Sequence, residues 1–159
     1  MTNSAVNKRT DRASRVIKAS QERLYRALLD PDAVTSWLPP AGMAGCLEIF
    51  EPVVGGRFRM TLTYKDAAHR VEGKSSEHSD VVEGRFTELV PNQRITQAFE
   101  FQSDRPELAG TMLMTWSFTP VAGGTDVTIV CDNVPEAIRP EDHLEGFRST
   151  LQNLAAFTE

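Results

Sequence analysis

The feature that most constrains this chain is the spacing of apolar residues near its C-terminus. There Leu144, Phe147, Leu151, Leu154 and Ala155 follow one another at offsets of three, four, three and one. At about 3.6 residues per turn those offsets stack on one side of a helix, and that side has to be buried. Pro140 suits the first helical position, where its missing N–H costs nothing, and Glu141 and Asp142 set negative charge against the positive end of the helix dipole. The spacing predicts one amphipathic helix over Arg139 to Thr158. From Pro140 to Phe157 it would run roughly 27 Å, about the length of an eight- or nine-residue strand. One helix can therefore lie along one sheet.

The middle of the chain supplies the sheet. From Gly45 to Val134 the period changes to two. Phe58, Met60, Leu62 and Tyr64 alternate with Arg57, Arg59, Thr61 and Thr63, and the split recurs where Ile95, Gln97, Phe99 and Phe101 oppose Thr96, Ala98 and Glu100. Met112, Met114, Trp116 and Phe118 oppose Leu113, Thr115 and Ser117, and Val127, Ile129 and Cys131 oppose Asp126, Thr128 and Val130. One apolar and one polar face mark an antiparallel sheet covered on a single side. On the polar face, Arg59 is placed to pair across strands with Glu83 or Glu100. Val81 to Leu89 breaks step, which predicts a bulge near Gly84. Gly55-Gly56, Pro91-Asn92 and Gly123-Gly124 mark tight connections, and residues 65–79 read as a long polar loop.

Ahead of the sheet, residues 1–11 read as a flexible tail and 12–159 as a single domain. Arg15 to Ala19 reads as a first strand, followed by a helix capped by Ser20 and running to Leu29, with Leu24, Ala27 and Leu28 on one face. Asp30 then caps a second short helix that starts on Pro31 and ends before Pro39-Pro40, delivering Trp37.

Composition narrows the function. The 159 residues, 40% apolar, suffice for one substantial core. A formal charge of -5 opposes the counterion release that nucleic-acid binding rewards, so nucleic acid is not an expected partner. No run of about eighteen apolar residues occurs, and MTNSAVNKRTDRAS lacks the apolar stretch of a secretory signal. A cytoplasmic protein with no membrane partner is expected. Cys46 and Cys131 match no metal or redox spacing and read as small buried thiols. His69 and His78 with Asp80 match no zinc pattern, so neither metal nor cofactor is expected. Metalloprotease, nucleophile-elbow, Walker and dinucleotide motifs are absent.

In order along the chain stand Trp37, Val54-Gly55-Gly56-Arg57-Phe58, Glu83-Gly84-Arg85-Phe86, Glu88-Leu89-Val90-Pro91, Gly123-Gly124-Thr125 with Val127, and the Phe147 to Leu154 stretch. On these residues the chain, from about Arg15 to its end, resembles the SRPBCC superfamily of START-like, helix-grip proteins. Within that superfamily it is similar to the homologues of the activator of the ninety-kilodalton heat-shock chaperone ATPase. The resemblance implies an α+β fold: a seven-stranded curved antiparallel sheet, order 1-7-6-5-4-3-2, wrapped round the long C-terminal helix, with two short helices after strand 1 and a cavity between. Many relatives carry Gly-Trp where this chain has Gly146-Phe147, which implies a differently shaped cavity floor. The chaperone-activating members carry a further N-terminal domain, for which this chain has no room.

If the strand parity holds, Phe58, Met60, Phe99, Met112, Met114, Trp116 and Phe147 face the helix, with Phe86 and Leu151 beside them. Methionine adapts to irregular apolar guests, although the same side chains could pack into a closed core. Trp37, Tyr64 and Gln97 are the polar handles that could orient a ligand, and His143, in the first turn of the last helix, could edge toward the cavity mouth. These residues read first as a module that binds an apolar or aromatic small molecule without catalysis. An enzyme of the cyclase, dehydratase or hydrolase kind is the alternative, with His143, Tyr64 or Gln97 moving or orienting protons. A chaperone-linked interaction module is the third reading. A homodimer stays open.

Overall fold

The computed structural model describes residues 9–39, 42–64, 79–101, 110–136 and 138–159. In chain order the elements are β1 (Arg9–Ile17), α1 (Gln21–Leu29), α2 (Pro31–Trp37), β2 (Met43–Phe50), β3 (Arg57–Tyr64), β4 (Ser79–Val90), β5 (Arg94–Phe101), β6 (Gly110–Val121), β7 (Gly124–Val134) and α3 (Pro140–Thr158). The strands form one seven-stranded sheet in the order β1-β7-β6-β5-β4-β3-β2, antiparallel throughout. This is the α+β architecture and the strand order that the resemblance implied. The long polar loop expected at residues 65–79 lies outside the described residues, except Ser79, which opens β4.

The local signals act as expected at the short helices. The Ser20 side chain accepts from Arg23 N–H to cap α1, Asp30 accepts from Asp32 N–H to cap α2, and Pro31 fills the first position of α2. Leu24, Ala27 and Leu28 of α1 and Ala33, Val34 and Trp37 of α2 are buried.

The first strand begins at Arg9 rather than Arg15, so Arg9, Thr10 and Asp11 belong to the sheet and not to a tail. The stretch RTDRASRVI has too little alternation to announce a strand. Pairing with β7 from Arg9↔Val134 to Ile17↔Thr125 overrides its weak propensity.

The parity break in β4 is real, but the register shifts between Phe86 and Glu88, so the bulge lies at Thr87 and not near Gly84. The ladder from Arg57↔Arg85 to Thr63↔Ser79 runs regularly past Gly84. An extra residue at Thr87 resets the alternation, so that Leu89, opposite the buried Ile95, returns to the inner face used by Phe86. Gly84 has a different task. A Cβ there would stand 2.0 Å from the Ala98 carbonyl oxygen and 3.0 Å from Phe58 Cζ, so glycine permits β5 to press close at the bend. A second bulge falls at Glu48, between Leu47 and Ile49.

The core lies between the inner face of the sheet and α3. Phe147, Leu151, Leu154 and Ala155 are buried, and Leu144 is partly buried against the same cluster. Against them pack Ile17, Leu24, Phe118, Val127 and Ile129. On the outer face Arg59 pairs with Glu83 at 3.0 Å and Arg85 with Glu100 at 3.2 Å, while Glu88 takes Arg94 through two bonds of 2.9 and 3.0 Å. Cys46 is exposed on that outer face opposite Thr61, which corrects its expected burial; Cys131 is buried. The strand parity decides this, because Cys46 neighbours the inward Leu47. Among the described residues no helix is long and apolar enough to cross a membrane.

Two glycines give opposite expectations. Gly84→Ala forces a backbone shift and should cost about 2–3 kcal/mol, as overpacking does. Gly146 sits inside α3 with nothing within 4 Å of its would-be Cβ. There Gly146→Ala should stabilise by about 0.5–1 kcal/mol. Urea denaturation of both variants reads the two signs directly.

Candidate functional site: a pocket between sheet and helix

The pocket follows from how α3 lies on the sheet. Its backbone runs close to β1, α1 and α2. The curved sheet carries β2 to β5 away from it. A space of about 270 Å³ results. Phe58, Met60 and Leu62 of β3, Val82 of β4, Gln97 and Phe99 of β5 and Met114 and Trp116 of β6 form the sheet side. Phe147 and Thr150 of α3 and Leu28, Val34, Trp37 and Leu38 from the two short helices close the other side. Leu47 and Phe50 of β2 and Ile129 of β7 complete the wall.

The two indoles are held in place by their donors. Trp37 Nε1 donates to the Ala27 carbonyl at 2.9 Å, and Trp116 Nε1 donates to Gln97 Oε1 at 3.3 Å. The rings meet edge to face, with centroids 6.0 Å apart at 83°. Phe58 stands at the junction of a second cluster, 5.3 Å from Phe86 and 5.4 Å from Phe99. No buried polar side-chain atom among the described residues lacks a partner.

Of the residues singled out from sequence, Trp37, Phe58, Met60, Gln97, Phe99, Met114, Trp116 and Phe147 stand on this wall. Phe86, Met112 and Leu151 are buried in the core outside the wall. Tyr64 closes β3, and its side chain lies outside what is described, as do His69, His78 and the side chain of Asp80. Among the described residues no cluster of metal-ligating side chains occurs. The sequence reading missed the contributions of Leu28, Val34, Leu38, Leu47, Phe50, Leu62, Val82, Ile129 and Thr150. Parity would have found Val82 and Ile129. Leu47 and Phe50, three apart, share a side only because of the bulge at Glu48.

His143 does not reach the pocket. Its Nδ1 lies 2.7 Å from Asp11 Oδ2, and its ring packs on Phe147 with centroids 4.3 Å apart, so Phe147 holds the place on the wall beside it. Arg9 Nε bonds both Asp11 oxygens at 3.0 and 3.1 Å, and an Arg9 Nη2 hydrogen bond to the Ile138 carbonyl ties the same group to the start of α3. Burial raises the Asp11 carboxyl, but the hydrogen bonds and charge of Arg9 and His143 outweigh it, and the group titrates below the ordinary aspartate range. Cys131 is the strand partner of Asp11. Burial, reinforced by the charges of Asp11 and Asp132, pushes its thiol up to about 12. It stays protonated and is no nucleophile. The wall itself, among the described residues, carries no titratable side chain.

Comparison with known proteins places this architecture. The family model described as "Activator of Hsp90 ATPase homolog 1-like protein" matches residues 18–159. A protein of Chromobacterium violaceum of known structure is 35% identical, with 94% of this chain and 97% of that one covered and a TM-score of 0.79. An AHSA1-like protein from Aeromonas hydrophila shares the fold at 19% identity, with 94% and 91% coverage and a TM-score of 0.74. An Aha1 dimer from Colwellia psychrerythraea does so at 19% identity, with 95% and 96% coverage and a TM-score of 0.66. No curated protein matches the chain.

The Asp11 cluster sets an acid limit on the joint between β1 and α3. A carboxyl whose native titration is depressed contributes stability that is complete above its unfolded-state value and is lost as pH falls through the native one. Asp11→Asn should therefore cost about 1–3 kcal/mol near neutrality. The gap between variant and parent should close from about pH 5 downward. Denaturant titrations of both proteins across that range check the sign.

Proposed function

The chain belongs to the family of Activator of Hsp90 ATPase homolog 1-like proteins, and from that premise we propose that it is a small-molecule binding protein that holds an apolar or aromatic ligand between the sheet and α3. The observation that carries the reading is the composition of the wall. Among the described residues its side chains are aliphatic, aromatic or thioether apart from Gln97 and Thr150, and both indole donors are already engaged within the protein. Such a wall returns the hydrophobic free energy of an apolar guest and supports no proton transfer, since general acid–base chemistry needs a titratable group within reach of the substrate. Of the three sequence candidates for proton chemistry, His143 faces Asp11 instead, Gln97 does not titrate, and the Tyr64 side chain lies outside the described residues.

A homodimer is the assembly we propose alongside it, because the Colwellia psychrerythraea relative is an Aha1 dimer. Light scattering on the whole chain that reads a single-protomer mass would discard it.

The neutral two-ring fluorophore 1-aminonaphthalene tests the binding reading. It should bind saturably and raise the melting temperature, with about 2.7 kcal/mol of stabilisation at a free concentration a hundred times Kd. Met114→Trp, which fills the space from the sheet side, should abolish the fluorescence gain while the circular dichroism spectrum is kept. Unchanged binding by that variant would place the probe elsewhere and end the reading.

A further inference from the structure

Gln97 settles what kind of ligand the wall accepts. An indole N–H can only donate, so the end of the Gln97 amide that meets Trp116 Nε1 at 3.3 Å is its carbonyl oxygen. The amide orientation is thereby fixed, and Nε2 with its two hydrogens points the other way. No described residue accepts from it, and no fully buried polar side-chain atom among the described residues is unpartnered. Gln97 is half-buried and helps to form the wall of the space, so its amide nitrogen, with no acceptor among the described residues, is available to a guest there. Thr150, across on α3, is the other polar side chain on that wall. Its hydroxyl can donate as well as accept.

The wall thus offers donors, no titratable group and an otherwise apolar surface. A charged guest would surrender its hydration with no opposite charge to meet, a loss that one hydrogen bond does not return. A pure hydrocarbon would offer the Gln97 N–H groups no acceptor. Space sets the size: an apolar cavity of about 150 Å³ encloses benzene, so 270 Å³ takes about two fused rings.

We propose that the ligand of this pocket is an uncharged, mostly apolar molecule carrying one acceptor oxygen, a carbonyl or ether, that takes a hydrogen bond from Gln97 Nε2. The inference rests on the binding reading above and specifies it. Trp116, itself on the wall, fixes the orientation of the amide in this arrangement.

The test compares two probes of one shape, 2-acetylnaphthalene and 2-isopropenylnaphthalene, which differ by a carbonyl oxygen in place of a methylene. Their Kd ratio is measured on the whole wild-type chain and on Gln97→Met, which keeps the length of the side chain and removes its donor. The ratio should shift by about five- to tenfold against the ketone in the variant, the size of one net hydrogen bond. As a second measurement, independent of any substitution, the Gln97 side-chain amide resonances of the ¹⁵N-labelled wild type should move with the ketone and stay nearly fixed with the alkene. Both probes binding with a ratio that Gln97→Met leaves unchanged, or amide resonances that respond equally to both, would overturn this inference and leave the binding reading standing. Neither probe binding would overturn both.

Discussion

The buried face of α3 needs a partner, and the inner face of a single sheet, with α1 and α2 beside it, covers it. That requirement organises the molecule. Leu151, Leu154 and Ala155 find a dense environment where α3 crosses β1 and α1, with Ile17, Leu24 and Val127 fully enclosed around them. Toward the other edge the sheet curves away from the helix, and Phe147 and Thr150 look across to Met60, Phe99 and Met114 with space between. Protein interiors are packed as tightly as organic crystals, so a gap of this size marks a departure from the rest of the same core. One half of the interior is packed densely, and the other half leaves a space of about 270 Å³.

The polar chemistry is kept apart from that space. Trp37 and Trp116 would each bring an indole donor into an apolar space, and each is satisfied inside the protein, one by the Ala27 carbonyl and one by Gln97. The strongest charge cluster of the interior, Asp11 with Arg9 and His143, lies on the far side of Phe147 and ties β1 to the start of α3. The arginine–glutamate pairs of the outer face lie on the opposite side of the sheet. The pocket is left with an almost wholly apolar wall that carries no titratable side chain among the described residues.

Much of this was legible because it depends on local periodicity. Alternation in Phe58, Met60, Leu62 and in Met112, Met114, Trp116 assigned the inner face, and the Ser20 and Asp30 caps marked the short helices. The strand order came from a family resemblance and not from the periodicity. What stayed hidden depends on contacts between distant parts of the chain. Asp11 reads as part of a polar tail until β7 pairs with it and His143 arrives from α3. The bulge at Thr87 was misplaced to Gly84 because a glycine is the usual signature of a bulge, whereas this one answers a close approach of β5. Leu47 and Phe50 escaped because the bulge at Glu48 puts two residues of opposite parity on one wall.

Diffraction from a crystal pressurised with xenon tests the central claim most directly, since xenon enters dry apolar cavities and is seen as a heavy atom. The account predicts a xenon site bounded by Met60, Met114 and Phe147, with the surrounding side chains in place. A structure in which Phe99 and Met114 close against Phe147 and xenon finds no site between sheet and helix would contradict it.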